Sequence, residues 1–256
     1  MKLSGIALVL TVAALSTPSP SPSFRAATLP VRGRPQLLRL YGDWTADPVI
    51  VSSGDGGWMH LGPHIAETLA GHGFFVIGFD VRAYLRSFTD GSATLRAQDE
   101  PTDYGALADY AARGAAKKPI LIGVSEGAGL SVLAATDPRT GRAIAGVIGV
   151  GLPAENELGW RWTDAVIYLT HSVPREPTFA TADVVGQMAG VPFAAIQSTH
   201  DEFAPIAEVR TILESAREPK SLWVIEASNH RFGGNVTEFD RRLIEAIAWV
   251  RQHQTT

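Results

Sequence analysis

Nearly continuous apolar runs alternate with stretches of helical periodicity from about residue 36 onward, and this alternation constrains the fold more than any other feature. The runs are rich in β-branched residues and lack the polar alternation of a half-exposed sheet. They therefore predict strands that are buried on both faces. Such runs occur at residues 36–42, 48–54, 74–81, 119–125, 143–151, 191–199 and 221–228.

Helical patterns lie between these runs, at residues 63–73, 103–115, 126–137, 206–216 and 236–252. In the last pattern a 3.6-residue period places apolar side chains on one buried stripe: Phe239, Leu243, Ile244, Ile247 and Val250. Alternating strands and helices predict an α/β fold with a doubly wound, mostly parallel sheet. In such sheets the ligand binds beyond the carboxyl ends of the strands.

The N-terminus has a different composition. Lys2 precedes an uncharged apolar stretch that is too short to span a bilayer, so residues 1–16 are predicted to be a secretory signal peptide, with an uncleaved anchor as the alternative. Residues 17–34 are predicted to be a Pro/Ser-rich spacer, and residues 35–256 the folded domain. We therefore expect a periplasmic or secreted protein.

Composition excludes several kinds of chemistry. The chain has no cysteine, so it has no disulfide partner, no thiolate nucleophile and no cysteine–zinc site. A net charge of −4 gives no electrostatic reason to expect nucleic acid as a partner. His60 and His64 are four residues apart, but Pro63 between them indicates a helix start, which argues against a shared metal site. We expect no metal and no organic cofactor.

One region interrupts the alternation. Residues 152–190 follow the fifth or sixth predicted strand and contain two tryptophans, a tyrosine and three prolines (152-LPAENELGWRWTDAVIYLTHSVPREPTFATADVVGQMAG-190). Insertions at this point either cover the site as a lid or form a surface crossover. Both interpretations remain open.

The segment 123-GVSEG-127 follows an apolar run and precedes a helical pattern. A serine between glycines on a tight strand-to-helix turn is how one large group of hydrolases exposes its nucleophile, so Ser125 is the candidate nucleophile. The pattern has low specificity alone, because a serine nucleophile also needs a base, an acid that orients the base, and donors for the oxyanion.

His230 and Asp201 complete a Ser–Asp–His chain order. His230 follows the last predicted strand, and Asp201 follows the strand before it, so both belong to loops at the carboxyl edge of the sheet. Glu202 is the alternative acid. Asp80, a further carboxylate at a strand end, is better explained by a hydrogen bond to local backbone in a turn.

Backbone amides are the expected oxyanion donors. One is the amide of Glu126 at the start of the helix, and the other is the amide of Asp55 in the glycine-rich 53-SGDGGW-58 loop. Large aromatic residues are candidates for lining the substrate pocket, although core packing is their commoner role: Trp58, Tyr84, Trp160 and Trp162.

At these residues the sequence resembles the α/β-hydrolase fold and, more narrowly, bacterial virulence-protein hydrolases of the VirJ/AcvB type. The resemblance depends on 53-SGDGGW-58, 78-GFDVRAYL-85, 121-LIGVSEGAG-129 and 229-NHRFGGN-235. It implies a periplasmic enzyme that hydrolyses the aminoacyl ester of lysyl-phosphatidylglycerol, with Ser125, Asp201 and His230 as the triad. The chain departs from the family at Glu126, where an aromatic residue is usual, and at Asn229, where a second histidine is common. The carboxyl of Glu126 suits a cationic aminoacyl head or, equally, a solvated helix start.

Together these features predict an exported serine hydrolase that cleaves an ester through an acyl-enzyme. The expected partner is an ester substrate, an aminoacylated phospholipid at the membrane surface being one candidate. A carboxylesterase or peptidase acting on another substrate stays open. So does a non-catalytic periplasmic binding partner of a secretion system that uses a hydrolase scaffold.

Overall fold

A computed structural model describes residues 24–162, 176–188 and 190–254. Within these ranges the strands are β1 (Arg25–Val31), β2 (Arg34–Tyr41), β3 (Pro48–Ser52), β4 (Phe75–Phe79), β5 (Ile120–Val124), β6 (Gly146–Val150), β7 (Glu155–Glu157), β8 (Thr178–Ala180), β9 (Phe193–Ser198) and β10 (Lys220–Ile225). The helices are α1 (Leu61–Gly71), α2 (Val81–Phe88), α3 (Glu100–Ala112), α4 (Glu126–Thr136), α5 (Pro138–Ala143), α6 (Thr181–Val185), α7 (Ile206–Ser215) and α8 (Val236–His253).

The described strands form an eight-stranded sheet in the order β1-β2-β4-β3-β5-β6-β9-β10, together with a small β7–β8 pair. β2 pairs antiparallel with β1 and with β4, and every other pairing in the large sheet is parallel. Every residue of β3, β4, β5 and β6 is buried. The prediction of a doubly wound, mostly parallel sheet is therefore confirmed, because both faces of the central strands are covered.

Two apolar layers enclose the sheet. One layer joins α1 and α8 to one face, and the buried side chains of α8 in it are Phe239, Leu243, Ala246, Ile247 and Val250. The other layer joins α3, α4 and α7 to the opposite face. The stripe predicted for the last helix is confirmed, with Ile244 partly buried at its margin. No helix in the described ranges is long and apolar enough to span a bilayer.

Three short helices, α2, α5 and α6, escaped the sequence analysis, and a capping aspartate begins the first two. Asp80 accepts a hydrogen bond from the Ala83 amide and begins α2, which confirms that its carboxylate bonds local backbone. Asp137 accepts from the Arg139 and Thr140 amides and begins α5. All three have at most eight residues, which is too short for periodicity to separate them from loops.

The predicted spacer boundary at residue 34 is wrong. Residues 25–31 form β1, which pairs with β2 from Arg25 opposite Leu40 to Val31 opposite Arg34. As an edge strand β1 buries few side chains, chiefly Leu29 and Val31, so its sequence has no continuous apolar run. The folded part of the described chain thus begins about ten residues earlier than predicted. The predicted signal peptide, residues 1–16, lies outside the described residues.

The insertion follows β6 as predicted, and its base is attached to α4. β7 and β8 pair antiparallel, and the Asn156 amide group donates to the Thr181 hydroxyl at 2.7 Å. Asn156 lies so close to α4 that a Cβ atom at Gly129 would be 1.7 Å from its Oδ1. The base of the insertion therefore packs against α4, the helix that follows Ser125. Residues 163–175 and 189 of the insertion lie outside the described residues, and the lid stays a prediction.

Candidate active site

Ser125 occupies a strained turn between β5 and α4. Its backbone has φ 51° and ψ −121°, a conformation that residues with a Cβ atom rarely adopt. The Ser125 amide donates to the Val150 carbonyl at the end of β6, which ties the turn to the neighbouring strand. This geometry presents the side chain at the carboxyl edge of the sheet, as a nucleophile turn does.

The glycines on either side of Ser125 are required by close backbone packing. A Cβ atom at Gly123 would lie 2.1 Å from the Gly127 carbonyl oxygen. A Cβ atom at Gly127 would lie 2.4 Å from the Ser53 carbonyl oxygen. Any side chain at either position would push the turn away from β3 or open it, so the sequence pattern has a steric cause.

Asp201 and His230 form a buried hydrogen-bonded pair. His230 Nδ1 lies 2.7 Å from Asp201 Oδ2, and their side chains are 11% and 0% exposed. The other carboxylate oxygen of Asp201 accepts from the amides of Phe203 and Ala204. Burial raises the pKa of Asp201, but the hydrogen bond and charge of His230 and the two amides outweigh it, so the pKa lies below its usual value. The carboxylate is thus ionised and faces the imidazole.

Two consecutive residues at the end of β6 contact Ser125 and His230, which brings the serine and the imidazole close together. Val150 accepts the Ser125 amide, and Gly151 (φ +58°) lies against the imidazole so closely that a Cβ atom there would be 2.4 Å from His230 Cε1. Ser125 and His230 line one pocket, although no hydrogen bond between their side chains occurs in the described part of the chain. Nucleophile–base contacts are often long before substrate binds.

The pocket is a cavity of about 250 Å³ with a mixed lining. Apolar side chains contribute much of the wall beside the Ser125–His230 edge: Met59, Leu61, Val124, Pro153 and Phe203. Polar groups from the glycine-rich loop and the histidine loop complete it, namely Asp55, His60 and Arg231. Both Asp55 and Glu126, whose amides are the predicted oxyanion donors, line this pocket, and a Cβ atom at Gly54 would lie 3.2 Å from Ser125 Cβ.

The Glu126 side chain is not a free carboxylate. It is 7% exposed, and its Oε1 accepts from the Glu157 amide of β7 at 2.5 Å. Burial raises its pKa well above the usual value, and the charges of Asp55 and Glu157 add to this shift. Burial therefore disfavours the charged form. A buried carboxyl that already binds a backbone amide is a poor partner for a substrate ammonium group, and it is not the solvated helix start that the sequence also allowed.

The aromatic pocket predicted from the sequence is wrong for two of its residues because they belong to the core. Tyr84 is fully buried, and its hydroxyl donates to Asp103 at 2.6 Å. Trp58 packs its ring against Gly78, where a Cβ atom would lie 2.3 Å from Trp58 Cη2, and its Nε1 donates to the Tyr41 hydroxyl. Tyr84 lies inside the core and Trp58 packs against the core while partly buried, and neither residue lines the Ser125 pocket.

The two tryptophans of the insertion do not line the pocket either. Trp160 is 5% exposed and packs edge-on against Trp162, with the Arg82 guanidinium 5.6 Å from its ring centroid. Trp162 is 75% exposed. The aromatic residue that does reach the site is Phe203, whose ring lies edge-on to His230 with 5.5 Å between centroids.

Three residues of the site have places that the sequence analysis did not foresee. Glu202, the alternative acid, does not contact the imidazole ring, and its Oε2 instead accepts the backbone amide of His230 at 2.9 Å. Gly151 makes room for the imidazole, and its place directly after a buried strand was the available signal. His60 lines the pocket with a backbone (φ 55°, ψ −114°) close to that of Ser125, a feature that no local sequence pattern reveals.

Comparison with known proteins agrees with this architecture. The family model for the bacterial virulence protein VirJ matches residues 47–147, which include β3, the glycine-rich loop and the Ser125 turn. No curated protein sequence matches the chain.

Among solved structures, an esterase from Pyrococcus furiosus is similar at 16% identity with a TM-score of 0.67, over 95% of this chain and 98% of that chain. The α/β hydrolase GrgF from Penicillium sp. has 15% identity and a TM-score of 0.66, over 90% and 98%. A dienelactone hydrolase from Anabaena variabilis has 15% identity and a TM-score of 0.63, over 91% and 98%. The chain therefore has the esterase-like α/β-hydrolase fold and resembles the VirJ bacterial virulence proteins over residues 47–147.

Proposed function

We propose that this protein is an exported serine hydrolase that cleaves an ester through Ser125, His230 and Asp201. The observation that carries the proposal is the buried Asp201–His230 hydrogen bond of 2.7 Å beside a strained serine turn in the same pocket. A binding protein needs neither the strain at Ser125 nor an ionised acid behind a histidine.

The mechanism follows from these positions. His230 Nε2 accepts the Ser125 proton as Oγ attacks the ester carbonyl, and Asp201 holds Nδ1–H and stabilises the imidazolium that forms. The amides of Glu126 and Asp55 donate to the oxyanion. His230 then protonates the leaving alcohol. Water, deprotonated by the same imidazole, hydrolyses the acyl-enzyme and restores the Ser125 hydroxyl.

We propose the aminoacyl ester of lysyl-phosphatidylglycerol as the first substrate to test, by analogy with the resemblance to VirJ/AcvB-type proteins. Asp55 supports a cationic head, and the apolar wall of Met59, Leu61 and Phe203 supports an amphiphilic substrate. We also propose a periplasmic or secreted location, which the apolar stretch after Lys2 supports because it resembles a secretory signal peptide.

Turnover measurements test this proposal. Short-chain p-nitrophenyl esters and vesicles containing lysyl-phosphatidylglycerol should be compared, with release of nitrophenol and of lysine as the readouts. We expect ester hydrolysis by the wild type and a loss of several orders of magnitude in Ser125→Ala and His230→Ala. Hydrolysis of nitrophenyl esters alone would indicate a carboxylesterase for another substrate. A folded wild type that hydrolyses no ester would contradict the proposal.

A further inference from the structure

A buried glutamine lies behind the acid of the proposed triad. Gln197 is fully buried on β9, in a strand whose other side chains from Phe193 to Ile196 are apolar. Its Nε2 donates to Asp201 Oδ2 at 2.8 Å and to the Ala204 carbonyl at 2.6 Å. Both partners are acceptors, so the amide nitrogen and not the amide oxygen must face them.

The hydrogen bonds of Asp201 divide between its two oxygens. Oδ1 accepts the amides of Phe203 and Ala204, which belong to its own loop. Oδ2 accepts from Gln197 Nε2 and from His230 Nδ1. Gln197 therefore binds the same oxygen that faces the imidazole, and it joins the end of β9 to the loop that carries the acid.

Gln197 stays buried at an energetic cost. Its Oε1 has no hydrogen-bond partner in the described part of the chain. Leaving a buried amide oxygen unpaired costs about 1–3 kcal/mol, so an apolar side chain of similar size would suit this strand at least as well. A residue that is unfavourable for packing, yet makes two hydrogen bonds at the acid, is better explained by the site than by the core.

The structure assigns Gln197 as a positioning residue that orients Asp201 and weakens Oδ2 as an acceptor for His230; this assignment rests on the proposed function. Two donors share the electron density of Oδ2, so the bond to the imidazole is weaker than a lone bond would be. Without Gln197 the carboxylate keeps the two amides on Oδ1 but can tilt towards the imidazole, which shifts the imidazole from its direction towards Ser125. Such misplacement lowers kcat more than substrate binding.

Other titratable or charged groups lie around the imidazole. Glu202 binds the His230 backbone amide, while Asp55, His60, Glu126 and Arg231 line the same pocket. The test therefore compares each variant with the wild type at every pH, so that changes common to both cancel.

Two variants and a matched control test the assignment with a p-nitrophenyl ester. Gln197→Met removes the donor at nearly constant volume, and we expect kcat to fall about tenfold with KM unchanged.

The second variant, Gln197→Glu, donates to Asp201 only while the introduced carboxyl is protonated. Its activity relative to the wild type should fall as pH rises, because two adjacent carboxyls share a proton only below the pKa of the pair. Gln36→Met is the control, because Gln36 is 3% exposed and bonds Ser87, away from the pocket.

A spectroscopic readout decides the assignment even if no substrate is found. We expect the Nδ1–H proton of His230 to give a downfield 1H resonance that is lost in His230→Ala. In Gln197→Met it should move further downfield, since Oδ2 then bonds the imidazole alone, and in Gln36→Met it should not move. An unmoved resonance in Gln197→Met, a kcat within twofold of the wild type, or a Gln197→Glu ratio that is constant with pH would overturn the assignment. Failure of the proposed function would appear differently, as a wild type without esterase activity.

Discussion

At the residue scale, the backbone strain at Ser125 shows that a serine at this position lowers the stability of the fold. A residue with a Cβ atom at φ 51° and ψ −121° costs about 1–3 kcal/mol relative to an unstrained one, and glycine avoids most of that cost. The surrounding glycines show that the turn itself cannot relax, because Gly123 and Gly127 pack against backbone atoms. Ser125 is therefore retained against its conformational preference.

We predict that Ser125→Gly is more stable than Ser125→Ala by about 1 kcal/mol, although both lack the proposed nucleophile. Alanine keeps the Cβ atom and hence the strain, whereas glycine relieves it. Urea unfolding of the two variants measures the difference. The same pair at Ser215, the last residue of helix α7, is the control and should give the opposite order. A Ser125→Gly variant no more stable than Ser125→Ala would show that the turn is not strained.

At the element scale, the β1–β2 hairpin is attached to α3 by a charged contact at its turn. Arg32 Nη2 lies 2.7 Å from Asp103 Oδ2, and Arg32 Nη1 lies 3.1 Å from Asp99 Oδ2. The Asp103 side chain is 2% exposed and also accepts the Tyr84 hydroxyl, so hairpin, α2 and α3 meet at one carboxylate. The hairpin is thus part of the domain and not a spacer.

We predict that Arg32→Ala lowers the free energy of unfolding by about 2–3 kcal/mol. Removing the cation leaves the Asp103 carboxylate buried without its charged partner, which is costlier than losing a surface pair. Arg96→Ala is the matched control, because Arg96 is 67% exposed and pairs with the surface carboxylate Asp99. It should cost less than about 1 kcal/mol. Equal losses in urea unfolding of the two variants would contradict this account of the hairpin.

The sequence predicts strands well where both faces of the sheet are buried, and poorly where a strand is partly exposed. The central strands β3 to β6 are covered on both faces, so their continuous apolar runs identified them. β1 is an edge strand beside a Pro/Ser tract, and its partly exposed residues resemble a linker. The short helices α2 and α5 depend on capping by Asp80 and Asp137, which a period of 3.6 residues does not detect.

For the candidate site, the sequence predicts the positions of residues along the sheet edge but not the directions of their side chains. The order of strands suffices to place Ser125, Asp201 and His230 at one edge, because the carboxyl ends of parallel strands meet there. Their catalytic roles remain predictions. The direction of a large side chain depends on tertiary contacts, so the sequence could not show that Tyr84 points to Asp103 or that Glu126 binds β7. Gln197 left a weak signal, a lone amide side chain near the end of an apolar run.

At the scale of the whole molecule, buried carboxyls make stability depend on pH. Glu100 is fully buried, and neither of its oxygens has a hydrogen-bond partner within the described residues. Burial, with a smaller contribution from the charge of Asp103, raises its pKa well above the usual value. The folded state therefore holds a proton that the unfolded chain releases above about pH 4.3. Stability from this group is present below that pH and falls as pH rises towards the folded pKa.

We predict that Glu100→Gln reduces the fall in unfolding free energy as pH rises above about 5. One retained proton gives a slope of up to about 1.4 kcal/mol per pH unit, which a glutamine cannot contribute. Urea unfolding at several pH values gives the slopes of wild type and variant. Glu238→Gln is the control. Hydrogen bonds from Arg241 and Arg242 lower the pKa of the Glu238 carboxyl to about 2, so this variant should leave the slope of unfolding free energy above about pH 5 unchanged. Identical slopes for wild type and Glu100→Gln would contradict the prediction.

The central claim is that the buried Asp201–His230 pair activates the strained serine across the shared pocket. Its most direct test is to expose the folded protein to a fluorophosphonate and locate the covalent adduct by peptide mass spectrometry. The account predicts one adduct, on Ser125, which is absent in Ser125→Ala and forms far more slowly in His230→Ala. An adduct at another residue, or a folded wild type that forms none, would contradict it.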